Sequence, residues 1–138
     1  MMKRSEHIML SNEINGRERI LVVDDEVEVC NALEEFLSLK EYAVETALDG
    51  QTALKMVEDF KPHIVLLDII MPGMGGMDVL KRIRDINPGI GVIMTTAVVD
   101  EEIAKSTIRL GAYDYITKPI DLNHLETVLM VKMIEIMG

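Results

Sequence analysis

From residue 19 onward, short β-branched or apolar runs alternate with longer segments of helical period, and this alternation admits essentially one architecture. Strands separated by helical crossovers form a parallel sheet covered on both faces. The first strand is expected at Ile20–Val23, followed by a helix from about Glu26 to Lys40 in which Cys30, Leu33, Phe36 and Leu37 share one face. Residues 42–46 form a second, less apolar strand. Asp49-Gly50 marks a turn or helix start, and Ala53, Leu54, Val57 and Phe60 define a helix closed by Pro62. Ile64–Leu67 is a continuous apolar run, as a central strand covered on both faces requires.

A glycine-rich loop at residues 72–76, read as flexible, leads to a third helix carrying Val79, Leu80, Ile83 and Ile86. Asn87-Pro88-Gly89 stops it. Ile90–Thr95 is the fourth strand, and Ile103, Thr107 and Leu110 face inward on a fourth helix ending at Gly111. Tyr113–Ile116 is the fifth strand. The last helix starts near an Asp121 N-cap, with Leu122, Leu125, Leu129, Met133 and Ile136 as its inner stripe. Five β-then-α units with right-handed crossovers make an α/β three-layer sandwich, and few strand orders keep the connections short; the order expected is 2-1-3-4-5. Residues 1–18 show no sustained period and read as an N-terminal extension, leaving residues 19–138 as the domain.

Composition narrows the function. A formal net charge of −10 repels phosphate backbones and anionic membranes, so direct nucleic-acid binding by this chain is not expected. Cys30 is the single cysteine, which excludes an internal disulfide and is read as a core residue of the first helix. His7, His63 and His124 are scattered and are assigned no site. The apolar run Ile8-Met9-Leu10 is too short for a signal sequence, and charge or glycine interrupts every longer tract. A cytoplasmic protein is expected.

Ligands of open α/β sheets bind beyond the carboxyl ends of the strands, near the point where strand order reverses. Asp24 and Asp25 follow the first strand, Asp68 the third, Thr95 and Thr96 end the fourth, and Lys118 follows the fifth. An Asp-Asp pair alone is an ordinary solvated turn or helix cap. Its partners change that, because like charges about 4 Å apart repel by roughly 4 kcal/mol at an effective dielectric of 20. A divalent cation relieves the repulsion, and oxygen-only ligands favour a hard ion such as Mg²⁺. With Lys118 as a mobile positive charge, the grouping suits a phosphoryl group, and Asp68 is the candidate nucleophile for an aspartyl phosphate. Asp24 and Asp25 are then metal ligands, and Thr96 donates a hydrogen bond to the added group.

Val22-Val23-Asp24-Asp25-Glu26, Leu67-Asp68-Ile69-Ile70-Met71-Pro72-Gly73-Met74, Thr96-Ala97 and Lys118-Pro119 together resemble the motifs of the receiver domain of two-component response regulators. The similarity covers about residues 19–137. It implies the flavodoxin-like (βα)5 fold, and the strand order above is partly carried over from it. Asp68 resembles the phosphoacceptor, served by a histidine kinase, a phosphotransfer protein or a small phosphodonor. Asp25 and Asp68 resemble direct Mg²⁺ ligands, with Asp24 acting through water and the backbone carbonyl of Ile70 as a further ligand. Thr96 and Tyr115 resemble the switch pair, and Pro119 the family's cis-peptide position. Where relatives often place polar side chains that orient the attacking water, this chain has Ile70 and Val98, which implies slow autodephosphorylation. Ala97 is small and leaves room for a donor.

The leading reading is a signalling switch rather than an enzyme, with phosphorylation altering the face made by the fourth helix, fifth strand and fifth helix. Met130, Met133 and Met137, with Val131 and Ile134, make the last helix apolar on more than one side, either as generous core packing or as a surface for a homodimer or output partner. One alternative is a Mg²⁺-dependent phosphohydrolase with an aspartate nucleophile. Its usual Asp-x-Asp and cap domain are missing from this pattern. A receiver-like binding module that takes no phosphate is the other, and the intact acidic cluster weighs against it.

Overall fold

The computed structural model describes residues 17–138; the expected extension at residues 1–18 falls almost wholly outside them. The described chain runs β1 (Arg19–Val23), α1 (Val27–Leu39), β2 (Ala43–Ala47), α2 (Gly50–Phe60) and β3 (Ile64–Asp68). It continues through α3 (Gly76–Ile86), β4 (Gly91–Thr96), α4 (Glu101–Arg109), β5 (Asp114–Thr117) and α5 (Leu122–Met137). The five strands form one parallel sheet in the order β2-β1-β3-β4-β5. That is the order expected, with strands 4 and 5 displaced one residue toward the carboxyl end.

Burial explains why each strand reads as it does. β3 and β4 are buried at every position, which is why their runs do not alternate, whereas the edge strand β2 is only half-buried until Ala47. One core, containing Leu21, Val57, Leu67, Leu80, Ile83 and Met94, fills the side of the sheet under α2 and α3. The other, with Ile20, Leu33, Leu37, Ile93, Leu125 and Leu129, lies under α1 and α5. Cys30 sits in this second core and is 2% exposed.

Helix starts are set by side chains. Asp49 caps α2 by accepting the Thr52 amide, Asp100 caps α4 through Glu102 and Ile103, and Asp121 caps α5 through Asn123 and His124. Two expectations are corrected. Leu122 is exposed rather than part of the inner stripe of α5, because it opens that helix at the rim of the loop. The last glycine of the segment read as a flexible loop is also placed in a helix. Gly76 begins α3 and donates to the Ile69 carbonyl at 2.8 Å, and a Cβ on it would lie 2.2 Å from the Asp68 carbonyl oxygen. Only glycine lets α3 start this close to the end of β3.

Candidate functional site

Parallel pairing in register brings the strand ends together. Val23 is level with both Ala47 and Leu67, Asp68 with Thr95, and Thr96 with Thr117, so the residues that follow them surround one depression. Asp24, Asp25 and Asp68 each direct a carboxylate oxygen into it, and these oxygens lie within 4.8 Å of one another. Asp24 and Asp68 are buried and Asp25 is exposed, so the cluster is open on the Asp25 side. Such a set of hard oxygen donors, too close for three uncompensated charges, fits a divalent cation.

The buried acids are held individually. Asp24 Oδ1 accepts the Glu26 amide at 2.9 Å, a bond made available because Glu26 is the N-cap of α1. Its other oxygen, Oδ2, accepts from Lys118 Nζ at 2.6 Å, while Asp68 Oδ2 is 3.5 Å from the same ammonium. Burial pushes the Asp68 carboxyl up to about 6; Lys118 pulls it down, and Asp24 and Asp25 push it up. Burial by itself would lower the Lys118 ammonium, but the hydrogen bond to Asp24 and the attraction of Asp68 and Asp24 outweigh it and hold the group above its ordinary value. Cys30 donates to the Asp24 carbonyl at 3.3 Å, and burial together with the Asp24 charge raises its thiol to about 11. A thiol in that state is no nucleophile.

The Lys118-Pro119 peptide is cis, and the Lys118 amide donates to the Thr96 carbonyl at 2.7 Å, which ties the end of β5 to β4. Thr96 is 1% exposed, and its hydroxyl accepts the Val98 amide at 3.2 Å. Tyr115 donates its hydroxyl to the Val98 carbonyl at 2.7 Å. The two residues expected to act as a pair are therefore joined through the backbone of Val98. Sequence reasoning noticed Val98 only for its aliphatic side chain. No pattern of residue types reports a bond to its backbone.

Ile70 follows β3 and is 60% exposed, and Val98 is 42% exposed. Both flank the depression without a side-chain polar atom. Among the described residues no helix is long and apolar enough to cross a membrane.

A doubly wound sheet whose strand ends gather three acids, a buried threonine and a lysine before a cis-proline defines a class of signalling domain. The family model of the response regulator receiver domain matches residues 20–130. Regulatory protein AtoC of Escherichia coli is 40% identical over 111 residues, covering 80% of this chain and 24% of that protein. Transcriptional regulatory protein ZraR of Salmonella typhimurium is 38% identical over 116 residues, covering 84% and 26%. Among solved structures, a receiver domain protein from Methanospirillum hungatei superposes with a TM-score of 0.83 at 29% identity, covering 87% of this chain and 96% of that one. The receiver domain of NtrX from Brucella abortus gives 0.77 at 36% identity, covering 82% and 96%. The chain belongs to the receiver-domain family of response regulators. It spans about a quarter of AtoC and ZraR.

Proposed function

We propose that this receiver accepts a phosphoryl group on Asp68 from the phosphohistidine of a sensor histidine kinase or phosphotransfer protein. The observation that carries this is the convergence of Asp24, Asp25 and Asp68 with Lys118 at the ends of three strands. An Asp68 carboxylate oxygen forms the new P–O bond as the donor's N–P bond breaks, and the electron pair of that bond stays with the imidazole. Asp25, Asp68 and the carbonyl of Ile70 would hold Mg²⁺, with Asp24 acting through water. Bound there, the ion supplies charge neutralisation for the transferring oxygens. Lys118 neutralises a further phosphoryl oxygen, and Thr96 turns its hydroxyl from the Val98 amide toward the phosphoryl group.

That turn gives the switch its physical content. Once Thr96 leaves Val98, the loop carrying Val98 and the Tyr115 ring bonded to it are free to rearrange, which alters the face of α4, β5 and α5. Taking such an equilibrium from 1:99 to 99:1 requires about 5.5 kcal/mol of differential stabilisation. Ile108, Met130, Val131, Ile134 and Met137 are exposed on α4 and α5, an apolar surface suited to a second copy or an output partner. The name of ZraR, a transcriptional regulatory protein, supports transcriptional regulation as the setting, with the receiver as input to a longer chain and the cytoplasm as its compartment in this proposal. Residues 19–138 are the receiver unit in this proposal and residues 1–18 an extension.

The domain turns over only its own phosphoryl group, and slowly. With Ile70 and Val98 unable to hold a water, Val98→Asn is expected to speed loss of the phosphoryl group on the order of tenfold. The test of function is intact-mass measurement after incubation with acetyl phosphate and Mg²⁺. One phosphoryl group on the wild type and none on Asp68→Asn is expected. Continuous release of phosphate from small phosphoesters would indicate a hydrolase instead, and an unlabelled wild type a binding module.

A further inference from the structure

The end of the sheet away from the acids carries a cleft of about 580 Å³. Its floor is the row of residues that open the inner strands: Arg19 begins β1, His63 precedes β3 and Ile90 precedes β4. Backbone pairing joins the row. The His63 amide donates to the Arg19 carbonyl at 2.9 Å, and the Gly91 amide to the His63 carbonyl at 3.0 Å. Val57 and Lys61 from the end of α2, Ile86 and Asn87 from the end of α3, and Ile136 from α5 complete the walls. Small-molecule sites span roughly 300–1,000 Å³, and this cleft falls within that range.

Three of its polar groups are fixed as donors. Arg19 Nε is spent on the carbonyls of Phe60 and Lys61, at 3.1 and 2.8 Å, which anchors the guanidinium at the end of α2 and leaves its terminal amino groups to the cleft. His63 Nδ1 accepts the Arg19 amide at 2.9 Å, so in the neutral ring the proton sits on Nε2. Burial and the Arg19 charge hold that ring below its ordinary value, which keeps it neutral at pH 7.5. Asn87 Oδ1 accepts the Gly89 amide at 2.8 Å, and the Asn87 amino group is left to donate. Lys61 adds an ammonium and Glu58 a carboxylate. Two cations against one acid leave a single positive charge, on a chain whose net charge is −10.

We propose that this cleft binds a small organic monocarboxylate, its carboxylate on the Arg19 guanidinium and Lys61 ammonium and its apolar body against Val57, Ile86, Ile90 and Ile136. The terminal edge of a guanidinium presents two parallel N–H donors, which match one carboxylate. Glu58 sets the charge of the ligand, because the second negative charge of a phosphate monoester has no uncompensated cation left to meet it. The apolar wall selects an organic anion over an inorganic one, since only a ligand with an apolar body removes that surface from water. The site lies at the opposite end of the strands from Asp24, Asp25 and Asp68, so its occupancy is read independently of phosphoryl transfer.

The test is amide NMR of the isotope-labelled full chain titrated with phenylacetate at pH 7.5 in chelator, with phenylacetamide and phenyl phosphate as matched probes. Phenylacetate is expected to move the amides of Arg19, Lys61, His63, Asn87 and Gly89 saturably in the millimolar range and to leave those of Asp24, Asp25 and Asp68 in place. Phenylacetamide keeps the ring and lacks the charge, and is expected to bind at least about tenfold more weakly; phenyl phosphate binds no more tightly than phenylacetate. Arg19→Met should lower phenylacetate affinity about tenfold and Lys61→Gln about threefold. The probe comparison uses the wild type alone, so it decides the matter even if Arg19→Met, which also gives up its bonds to Phe60 and Lys61, fails to fold. Equal binding of phenylacetate and phenylacetamide, tighter binding of phenyl phosphate, or shifts centred on the acid cluster overturns the assignment, as does a phenylacetate titration that moves no amide around the cleft.

Discussion

Replacing Asp68 by asparagine should stabilise the metal-free protein at neutral pH and leave it unchanged in acid. Burial raises the Asp68 carboxyl from 3.8 to about 6, against the pull of Lys118. At 1.36 kcal/mol per tenfold change in proton concentration, holding Asp68 ionised costs the fold about 3 kcal/mol. The folded state keeps this proton more tightly than the unfolded chain, so the favourable contribution is complete below pH 3.8 and disappears as pH rises through about 6. Asparagine resembles the neutral acid in shape and carries no charge to bury. The stability difference between Asp68→Asn and wild type should therefore be near zero at pH 4 and reach about 3 kcal/mol at pH 7 in chelator.

Urea unfolding followed by circular dichroism measures the difference, since the chain has no tryptophan. His63 pulls the other way, because burial and Arg19 hold its imidazole below its ordinary value and fold stability falls as that group charges. Both proteins share this trend, and the comparison cancels it. Added Mg²⁺ should raise the stability of the wild type far more than that of the variant. An Asp68→Asn protein less stable than wild type at pH 7 without metal, or a difference that does not grow with pH, would refute the reasoning.

Gly76→Ala should destabilise by about 3 kcal/mol or more, seen as a large fall in melting midpoint, because its Cβ would meet the backbone of Asp68 and Ile69. Tyr115→Phe removes the hydroxyl bond to the Val98 carbonyl and should cost about 0.5–1.5 kcal/mol while raising amide exchange across residues 97–100. Ile134→Glu, at a position 67% exposed, should change stability by no more than about 0.5 kcal/mol. Sedimentation of the phosphorylated protein shows whether it abolishes self-association. If Ile134→Glu and wild type sediment alike as dimers, that face is not the contact.

The architecture was legible because burial on both faces leaves a plain mark: β3 and β4 have no polar position before their ends. Strand ends were less so. Backbone pairing carries β4 to Thr96 and β5 to Thr117, past the apolar runs that announced them. The acids and Lys118 could be assembled from sequence because parallel strands place their carboxyl ends side by side, and each residue stands at such an end. Whether Lys118 reaches toward Asp24 or Asp68 depends on fractions of an ångström, which residue types do not encode. Gly76 was misread as part of a flexible loop for a related reason. Its role is the approach of two backbone segments, and a glycine allowing close contact looks the same in sequence as one allowing a turn.

The most direct measurement is borohydride reduction of the protein after acetyl phosphate and Mg²⁺ treatment, with peptide sequencing by mass spectrometry. An acyl phosphate at Asp68 is reduced to homoserine at that position and nowhere else. Homoserine at Asp24 or Asp25 instead, or none at position 68 in a protein that has taken up phosphate, would contradict the account.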